Sequence, residues 1–239
     1  MGFFNPAFVP HVSNTPNGAL SFASLGGGAI PLLFATPPIL PAPTANDGLA
    51  NLIMNYDFDT LAASIFGHNA AFPVSDTELL NVDDTNLSHF KKRGGKLLIW
   101  QPQSGGPFSP QDMVNWYTEM SHEMHGFEET QSFARLFMMP GVNHCGGGPG
   151  TSTIDAFSPV VNWVENGNAP ATLLGTAPAT NNPFPGRTRA LCPYPAYARY
   201  KGAGSIELAE SFECHVDKSR HDDDHHGHHR HGHHHHGGK

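Results

Sequence analysis

The chain has 239 residues, of which 26 are glycine and 21 are proline, while charged residues make up 14% and the formal net charge is −8. This composition is too rich in loop-forming residues and too poor in charge for a helical bundle or a coiled coil. The acidic balance argues against a nucleic-acid partner, which requires clustered lysine and arginine. No apolar run reaches the ~18–20 residues of a membrane span, so we expect no membrane insertion.

The N-terminal part of the chain is apolar and almost uncharged. Its first charged side chain, apart from any charge on His11, is that of Asp47, so the positively charged region of a secretory signal peptide is not found. The run SLGGGAIPLLFATPPILPAP contains prolines that exclude a long helix. We expect this apolar run to pack against other parts of the protein. Residues 47–90 are predicted to be polar loop with short helices.

Two short apolar segments follow, with an amphipathic segment between them. KLLIW (Lys96–Trp100) and FARLFMM (Phe133–Met139) are predicted to be buried strands. SPQDMVNWYTEMSHEM is predicted to be a helix, with Ser109 as its N-cap and Pro110 at its first position. The residues expected to pack into the core from this helix share one face: Met113, Tyr117, Met120 and Met124.

The segment TIDAFSPVVNWVENG is predicted to be a second helix that ends at Gly167. Pro159 is expected either to kink this helix or to mark a new first turn after Ser158. The order strand, helix, strand, helix favours an α/β unit with a parallel sheet. The side chains expected to form a buried stripe on the second helix are Ile154, Phe157, Val161 and Val164.

The loop GVNHCGGGPG follows the second strand and places His144 beside Cys145. Functional groups of open α/β sheets lie in loops at the carboxyl ends of strands. Imidazole titrates near neutral pH, so His144 is a candidate general base. A histidine in such a loop can also be an ordinary turn residue, and the residues alone leave that alternative open.

The three cysteines are Cys145, Cys192 and Cys214. An odd count, with one cysteine far from the other two, indicates one disulfide and one unpaired cysteine. Three buried thiols in a cytosolic protein are an equally good interpretation of the count alone.

The C-terminal tail contains ten histidines within HDDDHHGHHRHGHHHHGGK. It has nothing apolar to bury, so residues 217–239 are predicted to be disordered and to bind Zn or Ni adventitiously. A structural metal site needs fixed geometry, which such a tail does not provide, and we expect neither a structural metal nor a cofactor. A third interpretation, a histidine-rich metal-binding protein, depends on this tail alone.

Several motifs within residues 86–214 resemble the C-terminal half of the tannase/feruloyl esterase family, which includes hydrolases of aromatic monoesters. They are GGKLLIW, FARLFMMPGVNHCGGGPG, VVNWVENGNAP and RTRALCPYPAYARYKGAGS followed by SFEC. A weaker likeness extends upstream, where LLFATPP and NYDFDT resemble the end of the family's lid. The resemblance implies an α/β class, namely a partial α/β-hydrolase fold of C-terminal strands and helices with a lid-derived N-terminal segment.

On this resemblance the chain divides into a lid-derived segment (1–85), the C-terminal half of a hydrolase core (86–216) and the tail (217–239). The chain would be truncated relative to the family, because the N-terminal strands of the core have no counterpart. An uncovered sheet edge and face would then remain. We therefore expect marginal stability or self-association.

The resemblance also implies a carboxylic ester hydrolase that acts on aromatic esters, such as hydroxycinnamates or gallates, through a serine acyl-enzyme. His144 would be the general base. Cys145 corresponds to a cysteine that bridges to one beside the nucleophile, and Cys192 and Cys214 match a second family disulfide. Disulfides indicate an oxidising compartment, so the protein is expected to be secreted or periplasmic, with a small aromatic ester as its partner.

Two catalytic residues of the family are not found at their usual places. No G-x-S-x-G pattern occurs, and the nearest imitation is Ser24, preceded by Ala23 instead of a cysteine, which leaves Cys145 unpaired. The family's aspartate falls at Gly105; the nearby Asp112 lies on the predicted helix, where capping of the first turn is the simpler role. Ser24 and Asp112 are named as candidate nucleophile and orienting acid. The alternative is an inactive remnant or binding module that lacks both.

Overall fold

The computed structural model describes residues 34–39, 57, 59, 62–105, 108–144 and 146–217. The strands are β1 (Leu97–Pro102), β2 (Ala134–Met139), β3 (Leu173–Thr176), β4 (Thr188–Leu191), β5 (Tyr197–Tyr200) and β6 (Phe212–His215). The helices are α1 (Asp76–Leu80), α2 (Ser88–Lys92), α3 (Pro110–Glu123), α4 (Phe127–Gln131) and α5 (Phe157–Asn166). Short 3-10 turns occur at Ala62–Phe66 and Ala209–Ser211.

Strands β1 and β2 are parallel and in register from Leu97 opposite Ala134 to Pro102 opposite Met139. Successive side chains of β2 are buried on both faces of the sheet, which explains its continuous apolar sequence. The predicted parallel pair is therefore confirmed. Its bounds differ slightly, since β1 continues to Pro102, which was predicted to be loop.

Helix α3 connects the two strands and covers one face of them. Tyr117, Met120 and Met124 are buried against residues of β2, and Met113 packs at the margin of the same cluster, so the predicted core face is confirmed. The Tyr117 hydroxyl donates to the Ala134 carbonyl over 2.8 Å, and burial raises the pKa of this phenol. Ser109 occupies the N-cap position as predicted, but its side chain makes no capping hydrogen bond.

Helix α5 differs from the prediction in its buried face. It begins at Phe157 after Asp155, whose carboxylate accepts hydrogen bonds from the backbone N–H of Phe157 and Ser158. Phe157 is 76% exposed and Val164 is 60% exposed, so the expected stripe is wrong at these two residues, whereas Ile154 packs against a buried cluster and Val161 is half-buried. Pro159 lies in the first turn, and Gly167 ends the helix with φ 73° as predicted.

The buried residue of α5 is Trp163, whose ring has two cations near it. The Lys96 ammonium and the Arg135 guanidinium are each 5.4 Å from its ring centroid. Arg135 also donates to the Pro170 carbonyl over 2.7 Å. Cation–π contacts with Lys96, just before β1, and with Arg135 of β2 thus stabilise the inward position of Trp163.

The other face of β2 is covered by an antiparallel pair that the residue pattern did not predict. Leu173 of β3 and Leu191 of β4 form a buried cluster with Phe137 and Met139. A second antiparallel pair joins β5 to β6. These strands have only four residues each and lie among turns, so they carry little periodic signal.

Cys192 and Cys214 form a disulfide with a Cα–Cα distance of 5.6 Å. It joins the end of β4 to β6, as the resemblance implies.

In the described part of the chain β1 pairs with β2 alone. No helix there is both long and apolar enough to span a bilayer. Self-association and a lid origin for residues 1–85 stay predictions.

The disulfide closes a loop of 22 residues, so its loss should increase the conformational entropy of the denatured chain. We expect the double variant Cys192→Ala/Cys214→Ala to be less stable by about 3 kcal/mol in urea unfolding. Dithiothreitol should lower the stability of the wild type to a similar degree and leave the double variant unchanged. Equal stability of wild type and variant without reductant would contradict this expectation.

Candidate functional site

The loops after β1 and β2 leave the same edge of the sheet, because parallel strands end on the same side. The Gln103 N–H donates to the Met139 carbonyl over 3.1 Å, and the Ser104 N–H donates to the Val142 carbonyl over 2.9 Å. These bonds continue the strand ladder beyond β1. The two loops are thereby held side by side.

The loop after β2 folds back on itself through its glycines. Gly141, Gly147 and Gly148 have φ of 70°, 73° and 80°, and the Gly150 N–H donates to the Gly141 carbonyl over 2.9 Å. A Cβ on Gly148 would lie 2.5 Å from the Gly141 oxygen. Glycine is therefore required at position 148 for both conformation and space.

Asn182, from the segment between β3 and β4, secures this loop from outside. Its side-chain amide donates to the carbonyls of Gly148 and Gly150, each over 3.0 Å. The Phe184 N–H in turn donates to the Asn182 side-chain oxygen over 2.8 Å. The antiparallel pair thus supports the loop that carries His144.

His144 is half-buried in this loop, five residues after Met139, the last residue of β2. Its ring lies against Phe108, with centroids 5.2 Å apart and planes inclined by 48°. Within the described residues no hydrogen bond to the imidazole is made. Among the described residues, the backbone of the loop and the contact with Phe108 place the ring.

Gly105 lies directly beside His144. A Cβ built on Gly105 would be 3.4 Å from the His144 Cα and backbone nitrogen and 3.5 Å from its Cβ. These are ordinary van der Waals distances, and Gly105 does not have a positive φ. A side chain at position 105 would therefore start next to the imidazole, as the family's aspartate is expected to do.

The other candidate residues are not brought to His144 by the described structure. Asp112 is exposed in the first turn of α3, and no ion pair or hydrogen bond joins it to His144 among the described residues. Its position suits a favourable interaction with the helix dipole. Ser24 and Cys145 lie outside the described residues, as does the tail from residue 218 onward.

A cleft of about 1120 Å³ lies next to this loop. Pro140, Gly141, Pro149 and Gly150 contribute to its wall, whereas His144 is not among its lining residues. The described residues contain no group of three or more His, Cys, Asp and Glu that could hold a metal ion. Metal binding by the tail stays a prediction.

Phe108 and Asn182 are the two contributors to the site that the residue pattern did not reveal. Phe108 immediately precedes the predicted N-cap Ser109, and Asn182 lies in the turn-like run TNNPF. Their roles depend on contacts across the fold, which local sequence does not encode.

The loop conformation gives a test with a matched control. Gly94 has φ 79°, almost that of Gly148, but a Cβ there would meet nothing within 4 Å. We expect Gly94→Ala to cost about 1 kcal/mol of stability from the left-handed backbone alone. Gly148→Ala should cost roughly 2 kcal/mol more because of the added clash. Chemical denaturation measures both, and equal costs would show that the loop is not tightly folded.

A sequence profile of the family described as tannase and feruloyl esterase matches residues 44–215. The mono(2-hydroxyethyl) terephthalate hydrolase of Piscinibacter sakaiensis is 39% identical over 183 residues, which are 76% of this chain and 29% of that protein. A probable feruloyl esterase of Arthroderma benhamiae is 41% identical over 138 residues, which are 57% of this chain and 26% of that protein. The chain thus spans about a quarter to a third of these relatives.

Solved structures show the same fold at lower identity. Feruloyl esterase B from Aspergillus oryzae superposes with a TM-score of 0.55 at 21% identity, covering 82% of this chain and 40% of that one. Tannin acyl hydrolase from Aspergillus niger superposes with a TM-score of 0.57 at 22% identity, covering 85% and 35%. The strands and helices described here correspond to part of an α/β-hydrolase-type fold. Because the profile matches most of its length, the chain belongs to the tannase and feruloyl esterase family.

Proposed function

We propose that this chain takes part in the hydrolysis of carboxylic esters of aromatic acids through a serine acyl-enzyme. The observation that supports this most is the position of His144 at the carboxyl end of β2, in a loop folded by glycines. The relatives' names point to aromatic substrates, since feruloyl and terephthalate esters both carry an aromatic acyl group. His144 is proposed as the general base.

In this mechanism a serine hydroxyl attacks the ester carbonyl while a ring nitrogen of His144 accepts its proton. Backbone N–H groups would stabilise the oxyanion of the tetrahedral intermediate. The intermediate collapses, the alcohol leaves with the proton from His144, and water then hydrolyses the acyl-enzyme in the same way. Ser24 is the candidate nucleophile within this chain.

A second candidate function is a binding module without catalysis. It is favoured by Gly105, which stands beside His144 without a carboxylate to orient the imidazole. Asp112 stays the proposed alternative acid. The disulfide between Cys192 and Cys214 supports a secreted or periplasmic location, which we propose for either function.

Ester turnover distinguishes the two functions. Purified protein should hydrolyse p-nitrophenyl acetate and methyl ferulate, and His144→Ala should lower the rate at least ~100-fold because the general base is lost. His122→Ala removes an exposed histidine on α3 and should leave the rate unchanged. Equal rates for wild type and His144→Ala would refute the proposed base. Labelling with a fluorophosphonate and peptide mapping would test Ser24 as nucleophile.

Gly105 allows a gain-of-function test. Gly105→Asp places a carboxylate next to His144, where it can hold the ring tautomer, and we expect ester hydrolysis to increase by roughly tenfold or more. Gly105→Asn has the same size without the charge and should give no comparable increase. If the wild type and both variants are inactive, the binding module is the better description.

A further inference from the structure

The cleft beside the His144 loop is lined by side chains to which the proposed ester hydrolysis assigns no role. It is formed by α3, the end of β2 and the β4–β6 region, and its volume is about 1120 Å³. An aromatic lining is typical of sites for ring-shaped ligands. The aromatic residues that line it are Phe127, Phe184, Tyr194, Tyr197 and Phe212.

Two arginines line this cleft, and one of them is neutralised. The Arg187 guanidinium donates to both oxygens of the Glu207 carboxylate, over 2.5 and 2.7 Å. Its Cζ also lies 3.5 Å from the centroid of the Phe184 ring. These hydrogen bonds hold the pKa of Glu207 below its usual range. Arg187 is therefore a fixed part of the wall.

Arg189 differs because no carboxylate pairs with it among the described residues. It donates to the Thr188 carbonyl over 2.7 Å, and its Cζ lies 4.8 Å from the Phe212 ring centroid. Burial, and then the charge of Arg187, lower the pKa of Arg189, while the charge of Glu207, which is bound to Arg187, raises it to a smaller extent. A partly desolvated guanidinium that has no carboxylate partner among these residues gains from a bound anion.

We propose that this cleft is a binding site for small aromatic carboxylates, with the carboxylate on Arg189 and the ring against the aromatic wall. The Arg189 guanidinium offers the paired N–H groups that match the two oxygens of a carboxylate. Gln103 and Gln111 also line the cleft and supply amides for polar ring substituents. Asp217 also lines the cleft, where it accepts a hydrogen bond from the Tyr197 hydroxyl over 3.0 Å.

Binding of 4-hydroxybenzoate by the full chain, measured by ligand-observed NMR, tests this site without any need for hydrolysis. The control ligand is 4-hydroxybenzamide, which has the same shape and no charge. We expect the acid to bind at least tenfold more tightly, as charged hydrogen bonds to guanidinium are strong. Equal affinities, or no binding of either compound, would overturn the proposal.

Variants locate the site. Arg189→Gln should weaken binding of the acid about tenfold, whereas Arg199→Gln removes an equal charge from an exposed pair with Glu213 outside the cleft and should have no effect. Equal losses in both variants would show non-specific attraction and overturn the site. Arg189→Lys keeps the charge and should retain part of the affinity, so it replaces Arg189→Gln if circular dichroism shows that the glutamine variant does not fold.

Discussion

The parallel hydrogen bonding of β1 with β2 determines where the candidate functional groups lie. Because both strands run the same way, the chain leaves each at the same edge, and Gly105 meets His144 there. An antiparallel pair would place these residues at opposite ends. The register is fixed by burial on both faces of β2, since a slip of one residue would exchange Leu136 and Phe137 between two different clusters.

The residue pattern predicted β1, β2, α3 and the end of α5 well because the residues that specify them are close together in the chain. The two apolar runs predict buried strands, the proline marks the start of α3, and the glycine marks the end of α5. Tyr117 and Met120 follow from helical spacing alone. The loop around His144 was also foreseeable, since an imidazole among glycines after a strand is an uncommon arrangement.

Other parts of the fold depend on contacts that no local pattern encodes. The four-residue strands β3 to β6 are defined by their partners, and the inward side of α5 carries Trp163 beside Lys96 and Arg135 rather than the predicted apolar stripe. The support of the His144 loop by Asn182 is of the same kind. In the candidate site, the motif comparison singled out Gly105, but its contact with His144 became visible only in the structure.

The contacts of the Trp163 indole bear on the order in which the strands and helices come together during folding. Lys96 and Arg135, the two cations at its ring, come from segments far apart in the chain, so their contacts require long loops to close first. Such non-local contacts form after local helices and turns. The contacts of the Trp163 ring with these two cations therefore form only after β1, β2 and α5 have come together.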